Sequence, residues 1–355
     1  MQRGWLEAMG ALRIVDETLR RRVAAGFALA ALAALGWSWR DLPGNWYEFN
    51  HTNRRPLAHA KSWHYQLANV DLDKVAAVDA DVVVVDYAIG GVPLTSEQVA
   101  KLKVRPGGKP RIVLSYLSVG EGEEKRFYWK SEWTTDAASR PSWINVNNCA
   151  WPGAWAVRFW QDGWKDIVFR GRDSYLARIM AAGFDGVYLD RVDMFEDYPL
   201  IAREKPDAAR EMIALVAELA ATARAKKPGF IVVPNNGLGL LAYRDFRRAI
   251  DGQGLEELLY SETATGVRNN EAKVQDNLAL ISKLQWDYKP AFTLEYLTTK
   301  PAIEAAKAEL DGLGIISAFP TRALDGGDPT AAGMLQSDPG TPEFVAANCT
   351  KANSW

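Results

Sequence analysis

From residue 61 onward, short runs of β-branched and aromatic residues alternate with stretches in which apolar side chains recur every three or four positions. The runs are residues 63–67 (WHYQL), 81–87 (DVVVVDY), 111–117 (RIVLSYL), 185–190 (DGVYLD), 230–235 (FIVVPN), 248–252 (RAIDG), 291–296 (AFTLEY) and 314–319 (GIISAF). Several are apolar without a break, as strands covered on both faces of a parallel sheet require. The periodic stretches between them predict helices. Asp207 is placed to cap one that reaches Lys226, with Met212, Leu215, Val216 and Leu219 on a single stripe. Others are predicted over 174–182, closed by Gly183, over 271–286, and over 301–310 with Pro301 at the start. Eight such units within about 270 residues predict an α/β fold, a single (β/α)8 TIM barrel. A doubly wound open sheet is the alternative, but it normally has fewer strands and a cofactor fingerprint. The alternation is interrupted by residues 121–164, a long aromatic-rich insertion after the third strand.

The first segment has a different pattern. Arg20, Arg21 and Arg22 precede an almost uncharged run over 23–39, rich in Ala and Leu. A basic stretch followed by an apolar one predicts export, by a cleaved signal peptide or by a retained membrane anchor. The run is short of the roughly 20 apolar residues that a spanning helix needs. The domain reading is therefore 1–45 as signal or anchor plus linker, 46–340 as the barrel and 341–355 as a tail.

Composition narrows the function classes. A formal net charge of −2 over 355 residues offers no basic face, so no nucleic-acid partner is expected. Two cysteines and the three histidines His51, His59 and His64 supply no spaced ligand set, so no metal or other cofactor is expected. Cys149 and Cys349 either form one disulfide tying the tail to the loop before Trp151 or remain two thiols. Residues 237–242 (GLGLLA) fit the dinucleotide pattern G-x-G-x-x-A. They follow the fifth strand rather than an opening one, and read as a loop and helix start.

In barrels of this kind the active site forms where the strands end. The polar residues there are Gln66, Asp86, Tyr116, Asp190, Asn235 with Asn236, Glu256 with Glu257, Glu295 and Arg322. Acids at several exits suit glycosidic chemistry, in which one carboxylate attacks or orients and a second protonates the leaving oxygen. Asp190 is the leading candidate, because Asp has poor strand propensity yet ends an apolar run. Glu256 is the second, with Glu295 and Glu262 as rivals for the acid role. Fourteen Trp invite a sugar-stacking role, with Trp63, Trp129, Trp151, Trp155 and Trp160 as candidates. Packing accounts for at least half of these. Expected substrate contacts are Trp63, Tyr65, Asp86, Tyr116, Glu121, Asp193, Asn235, Glu295 and Arg322.

Several stretches resemble the endo-α-1,4-polygalactosaminidase family, glycoside hydrolase family 114. They are 63–67 (WHYQL), 84–87 (VVDY), 116–123 (YLSVGEGE), 126–129 (RFYW), 183–190 (GFDGVYLD) and 293–296 (TLEY), spread over nearly all of the barrel region. The resemblance implies a barrel that cleaves α-1,4-linked galactosamine polymers with an Asp after strand four and a Glu after strand six. By position these are Asp190 and Glu256. One departure stands out. The family's strand-six exit commonly reads Asn-Glu followed by Cys, whereas Leu255 precedes Glu256 here and Leu258 takes the place of the Cys.

Overall fold

The computed structural model describes residues 56–197, 201, 204–260, 266–330 and 349. The chain divides into two compact units, residues 1–51 and 52–355. The N-terminal signal or anchor segment, Glu262 and all of the tail but Cys349 lie outside the described residues. Among those residues no helix is long and apolar enough to cross a membrane.

Eight parallel strands follow one another in chain order: β1 (Trp63–Tyr65), β2 (Val82–Val85), β3 (Ile112–Ser118), β4 (Gly186–Asp190), β5 (Ile231–Pro234), β6 (Gln253–Glu256), β7 (Ala291–Leu294) and β8 (Ile315–Ala318). The first five form one sheet and the last three another. A parallel bridge between Asn235 and Gly254 joins the two, and β8 lies against β1. Helices run between consecutive strands, as in a TIM-barrel-type α/β domain.

Because side chains alternate across a strand, each strand supplies two separate cores. Val83, Val85, Val113, Leu117, Val187, Leu189 and Val232 pack outward on the helices. Trp63, Tyr65, Val82, Val84, Leu114, Tyr116, Tyr188, Val233, Phe292, Leu294 and Tyr296 pack inward on one another. The helix Ala208–Lys226 buries the predicted stripe of Met212, Leu215, Val216 and Leu219. Asp207 stands at its cap position but accepts no side-chain bond there.

The sixth strand departs from expectation. Residues expected to begin it belong to a helix, Arg244–Ala249, whose Phe246 and Ala249 are buried one turn apart, and the strand itself is Gln253–Glu256. Gln-Gly-Leu-Glu has little strand propensity of its own. It is extended because Gly254 is the residue against which the Tyr188 ring packs: a Cβ there would lie 2.1 Å from the Tyr188 hydroxyl oxygen.

Between β3 and β4 in the chain, the segments Glu121–Glu123, Ile144–Asn147 and Ala154–Val157 form an antiparallel sheet. Most of its tryptophans pack rather than face solvent. Trp133, Trp143, Trp155 and Trp164 are buried in the outer core, and the Trp164 indole N–H donates to the Val119 carbonyl at 2.8 Å. Trp151 is the exception, at 46% exposed. Of the two readings open for the cysteines, the paired one holds: Cys149 and Cys349 form a disulfide with their Cα atoms 5.3 Å apart. In the chain-entropy model a bridge closing a loop this long contributes at most roughly 5 kcal/mol. Removing both sulfurs (Cys149→Ser with Cys349→Ser) should lower the melting midpoint by several degrees. Reductant should have the same effect on the parent protein and none on the double variant.

Candidate active site

At the C-terminal ends of β3 to β7 the inward alternation continues beyond the apolar layer. It brings Tyr116, Asp190, Asn235, Glu256 and Tyr296 together into one hydrogen-bonded row. The Asn235 side chain is fully buried at the joint between the two sheets. Its Nδ2 donates to Asp190 Oδ1 at 3.2 Å and to Glu256 Oε1 at 2.9 Å. The outer oxygens are held by phenols: Tyr116 donates to Asp190 Oδ2 at 2.8 Å and Tyr296 to Glu256 Oε2 at 2.7 Å. Both carboxyl residues remain partly exposed, so the pair is reachable. Beneath them lie Tyr65 and Tyr188, within the electrostatic reach of both acids.

Burial dominates the electrostatics. It raises the Glu256 carboxyl above its ordinary value, and the Asp190 charge adds to the rise, while hydrogen bonds from Tyr296 and Asn235 oppose it. Burial also pushes the phenols of Tyr65, Tyr116, Tyr188 and Tyr296 well above 10, so each keeps its proton and acts as a donor.

A guanidinium lies over each of the two flanking tyrosines. Arg126 sits 5.6 Å from the Tyr116 ring centroid and Arg322 4.3 Å from that of Tyr296. Each is paired with carboxylates, of which Asp86 was an expected substrate contact. Asp86 binds Arg126 through both oxygens, at 2.8 and 2.7 Å, and Glu123 takes its Nε at 2.6 Å. Arg322 pairs with Glu257, whose backbone is left-handed at φ 58°. Glu121 accepts from Asn148 at 2.9 Å and pairs with Arg191 at 3.2 Å. Arg191 in turn lies 3.5 Å from Asp193.

Two expected contacts sit elsewhere. Trp63 begins β1, deep in the inward core, with its ring against Tyr65, Tyr188 and Phe292. Glu295 has the opposite strand parity from Tyr296 and points outward. Its side chain is fully buried, and its carboxyl accepts the backbone N–H groups of Leu259 at 2.9 Å and Tyr260 at 3.2 Å. It therefore holds the loop that follows Glu256 and is not a rival acid at the row. Gln66 is likewise structural, donating to the carbonyls of Ala68, Asn69 and Asp325. Tyr188 and Tyr296 were not among the candidates, although each shares the parity of a listed polar position on its own strand or lies next to one. Among the described residues no cluster of His, Cys, Asp and Glu could hold a metal ion.

The model of glycoside hydrolase family GH114 matches residues 45–334. The chain belongs to that family. An uncharacterized protein of Methanocaldococcus jannaschii is 34% identical over 242 residues, which is 66% of this chain and 66% of the relative. One of Deinococcus radiodurans is 32% identical over 275 residues, 76% of this chain and 83% of the relative. Against a third relative, of Thermotoga maritima, the chain spans 64% of the length. In fold, the chain is similar to the glycoside hydrolase domain of PelA from Pseudomonas aeruginosa, with a TM-score of 0.57 over 76% of this chain and 98% of that one, at 20% identity.

The buried Glu295 carboxyl is raised from 4.5 to about 7, because burial outweighs its backbone hydrogen bonds. The folded protein therefore holds this proton more tightly than the unfolded chain does. Stability should decline as pH rises from about 4.5 to about 7, by no more than about 3 kcal/mol from this group. In Glu295→Gln that part of the decline should vanish, which melting curves across the same pH range will show.

Proposed function

We propose that this protein hydrolyses an α-1,4-linked galactosamine-type polysaccharide with retention of anomeric configuration, Asp190 acting as nucleophile and Glu256 as general acid and base. What supports this reading above all is the sharing of one amide nitrogen by the two carboxyls. Oxygens 3.2 and 2.9 Å from a single nitrogen are at most about 6 Å apart. So close an approach of two carboxyl oxygens favours the about 5–5.5 Å between carboxyl groups of retaining enzymes over the about 6.5–9.5 Å that leaves room for water in inverting ones.

The division of labour follows from the surroundings. Burial and the neighbouring charge favour the protonated form of Glu256, the form an acid needs. In the first step Glu256 gives its proton to the glycosidic oxygen, the bond from that oxygen to the anomeric carbon breaks, and an Asp190 oxygen bonds to the carbon. In the second, the Glu256 carboxylate takes a proton from water while the resulting hydroxide displaces Asp190. The sugar leaves with a new hydroxyl, and both carboxyls return to their starting states. The phenols of Tyr116 and Tyr296 and the amide of Asn235 fix the orientation of both carboxyls, each oxygen accepting one of these bonds.

The preference for a cationic amino sugar draws its support from family membership rather than from cleft charge. Asp86, Glu121, Glu123 and Glu257 are each paired with an arginine, so they are engaged within the protein rather than free to meet a cationic sugar. A neutral glycan is accordingly the second reading. The disulfide supports an exported location, since such bonds persist in oxidising compartments.

The deciding assay is release of reducing ends from galactosamine polymer, its N-acetylated form and neutral glycans. Asp190→Asn and Glu256→Gln should each cost about a thousandfold in kcat while the melting curve stays near that of the parent. Either variant retaining near-parental turnover on the cleaved polymer would remove that residue from the mechanism. A folded parent protein that binds but cuts none of these glycans would mark it as a carbohydrate-binding barrel instead.

A further inference from the structure

Asn235 gives both of its N–H bonds to the acids, which leaves open what keeps its amide from turning over. A primary amide rotated by half a turn would present its carbonyl oxygen to two carboxyls, an arrangement that suits only a protonated acid. The only other partner of the Asn235 side chain among the described residues is Tyr188, whose hydroxyl donates to Oδ1 at 2.8 Å. Tyr188 stands two residues before Asp190 on β4 and so shares its inward face. It is 1% exposed and lies beneath the row, out of reach of a sugar in the cleft. Its phenol is forced upward by burial and by both carboxylates, so it remains a donor. The ring reaches Asn235 only because residue 254, two before Glu256 on β6, has no Cβ: one there would overlap the Tyr188 ring and hydroxyl at 2.1–2.6 Å. Three residues on three strands thus meet at the bridge that joins the two sheets.

We propose that Tyr188 is a positioning residue which locks the Asn235 amide with both hydrogens toward Asp190 and Glu256, and so sets the pH range over which Glu256 keeps its proton. The proposal rests on the reading of Glu256 as the general acid. The other groups that act on Glu256 are Asp190 on β4, Tyr65 on β1, Tyr296 after β7 and Arg322 after β8, with Glu257 beside it in the chain. Tyr188→Phe leaves all of these in place. It removes the donor that polarises the amide and frees the amide to turn its oxygen toward a protonated Glu256. Both changes favour the proton on Glu256, so the sign of the effect is fixed.

The test follows the Glu256 carboxyl by infrared difference titration of the full chain without substrate, the band being assigned with Glu256→Gln. Its midpoint should rise by about one pH unit in Tyr188→Phe, a tenfold change in proton affinity. In Tyr65→Phe it should move far less, because that hydroxyl faces the same acids but does not bond Asn235. On whichever glycan the parent protein cleaves, the basic limb of kcat/KM against pH should move upward with it. An unchanged midpoint and an unchanged basic limb in a folded Tyr188→Phe overturn the proposal. If the parent protein cleaves no glycan, the functional reading fails while the infrared midpoint still decides the role of Tyr188. Should Tyr188→Phe not fold, Tyr188→3-fluorotyrosine keeps the ring and gives a stronger donor. The midpoint should then fall, and no movement overturns the proposal.

Discussion

Two carboxyl groups held against one amide nitrogen repel each other, and everything around them bears on that repulsion. Left alone at this separation in a partly dry site, the pair would stay charged only at a high electrostatic cost. Asn235 lowers the cost by placing a donor between them, and Tyr116 and Tyr296 lower it from the outside. Among the described residues no cation bonds either acid directly. Arg126 and Arg322 lie over the tyrosine rings instead, each already paired with carboxylates of its own. A guanidinium bonded to Glu256 would hold it ionised and unable to donate a proton. An arginine acting through a phenol strengthens the phenol as a donor without supplying a full counter-charge.

Strand parity explains which expectations held. The outward and inward cores use alternate residues, and the inward series runs straight on into the row of acids and phenols. Asp190 and Glu256 sit two residues beyond Tyr188 and Gly254 on that series, so their meeting was legible once the strands were placed. The same rule separates Glu295 from Tyr296: adjacent in the chain, they face opposite sides of β7, and the phenol rather than the acid enters the site. An inventory of polar residues at strand ends has no means of telling them apart. The alternation of AFTLEY, with Phe292 and Leu294 inward, carries that information.

Other features depended on contacts that no local pattern records. Asp86 and Arg126 are 40 positions apart, and Glu121 and Asn148 are 27 apart. These pairings turned expected cleft acids into supports. The sixth strand was misplaced because Gln253–Glu256 has the composition of a loop and is extended by its neighbours. Gly254 makes room for Tyr188, and the buried Asp251 just before it binds the Val232 backbone N–H at 2.9 Å. Tertiary packing overrides weak propensity there, in the strand that carries Glu256.

The long segment between β3 and β4 gains a physical reason from the same contacts. Arg191 follows Asp190 directly and has a left-handed backbone at φ 59°, a conformation unfavourable for any residue with a Cβ. Two contacts to the insertion side hold it there. Its carbonyl oxygen faces Gly120, where a Cβ would come within 2.2 Å, and its guanidinium pairs with Glu121. Glu121 is in turn held by Asn148, next to the cysteine that carries the disulfide. Asp190 is thus fixed from below by Asn235 and from behind by a turn that the aromatic insertion braces. A carboxyl braced on two sides keeps its orientation within the row, and a long, tryptophan-packed segment at this exit supplies that rigidity where a short loop would not.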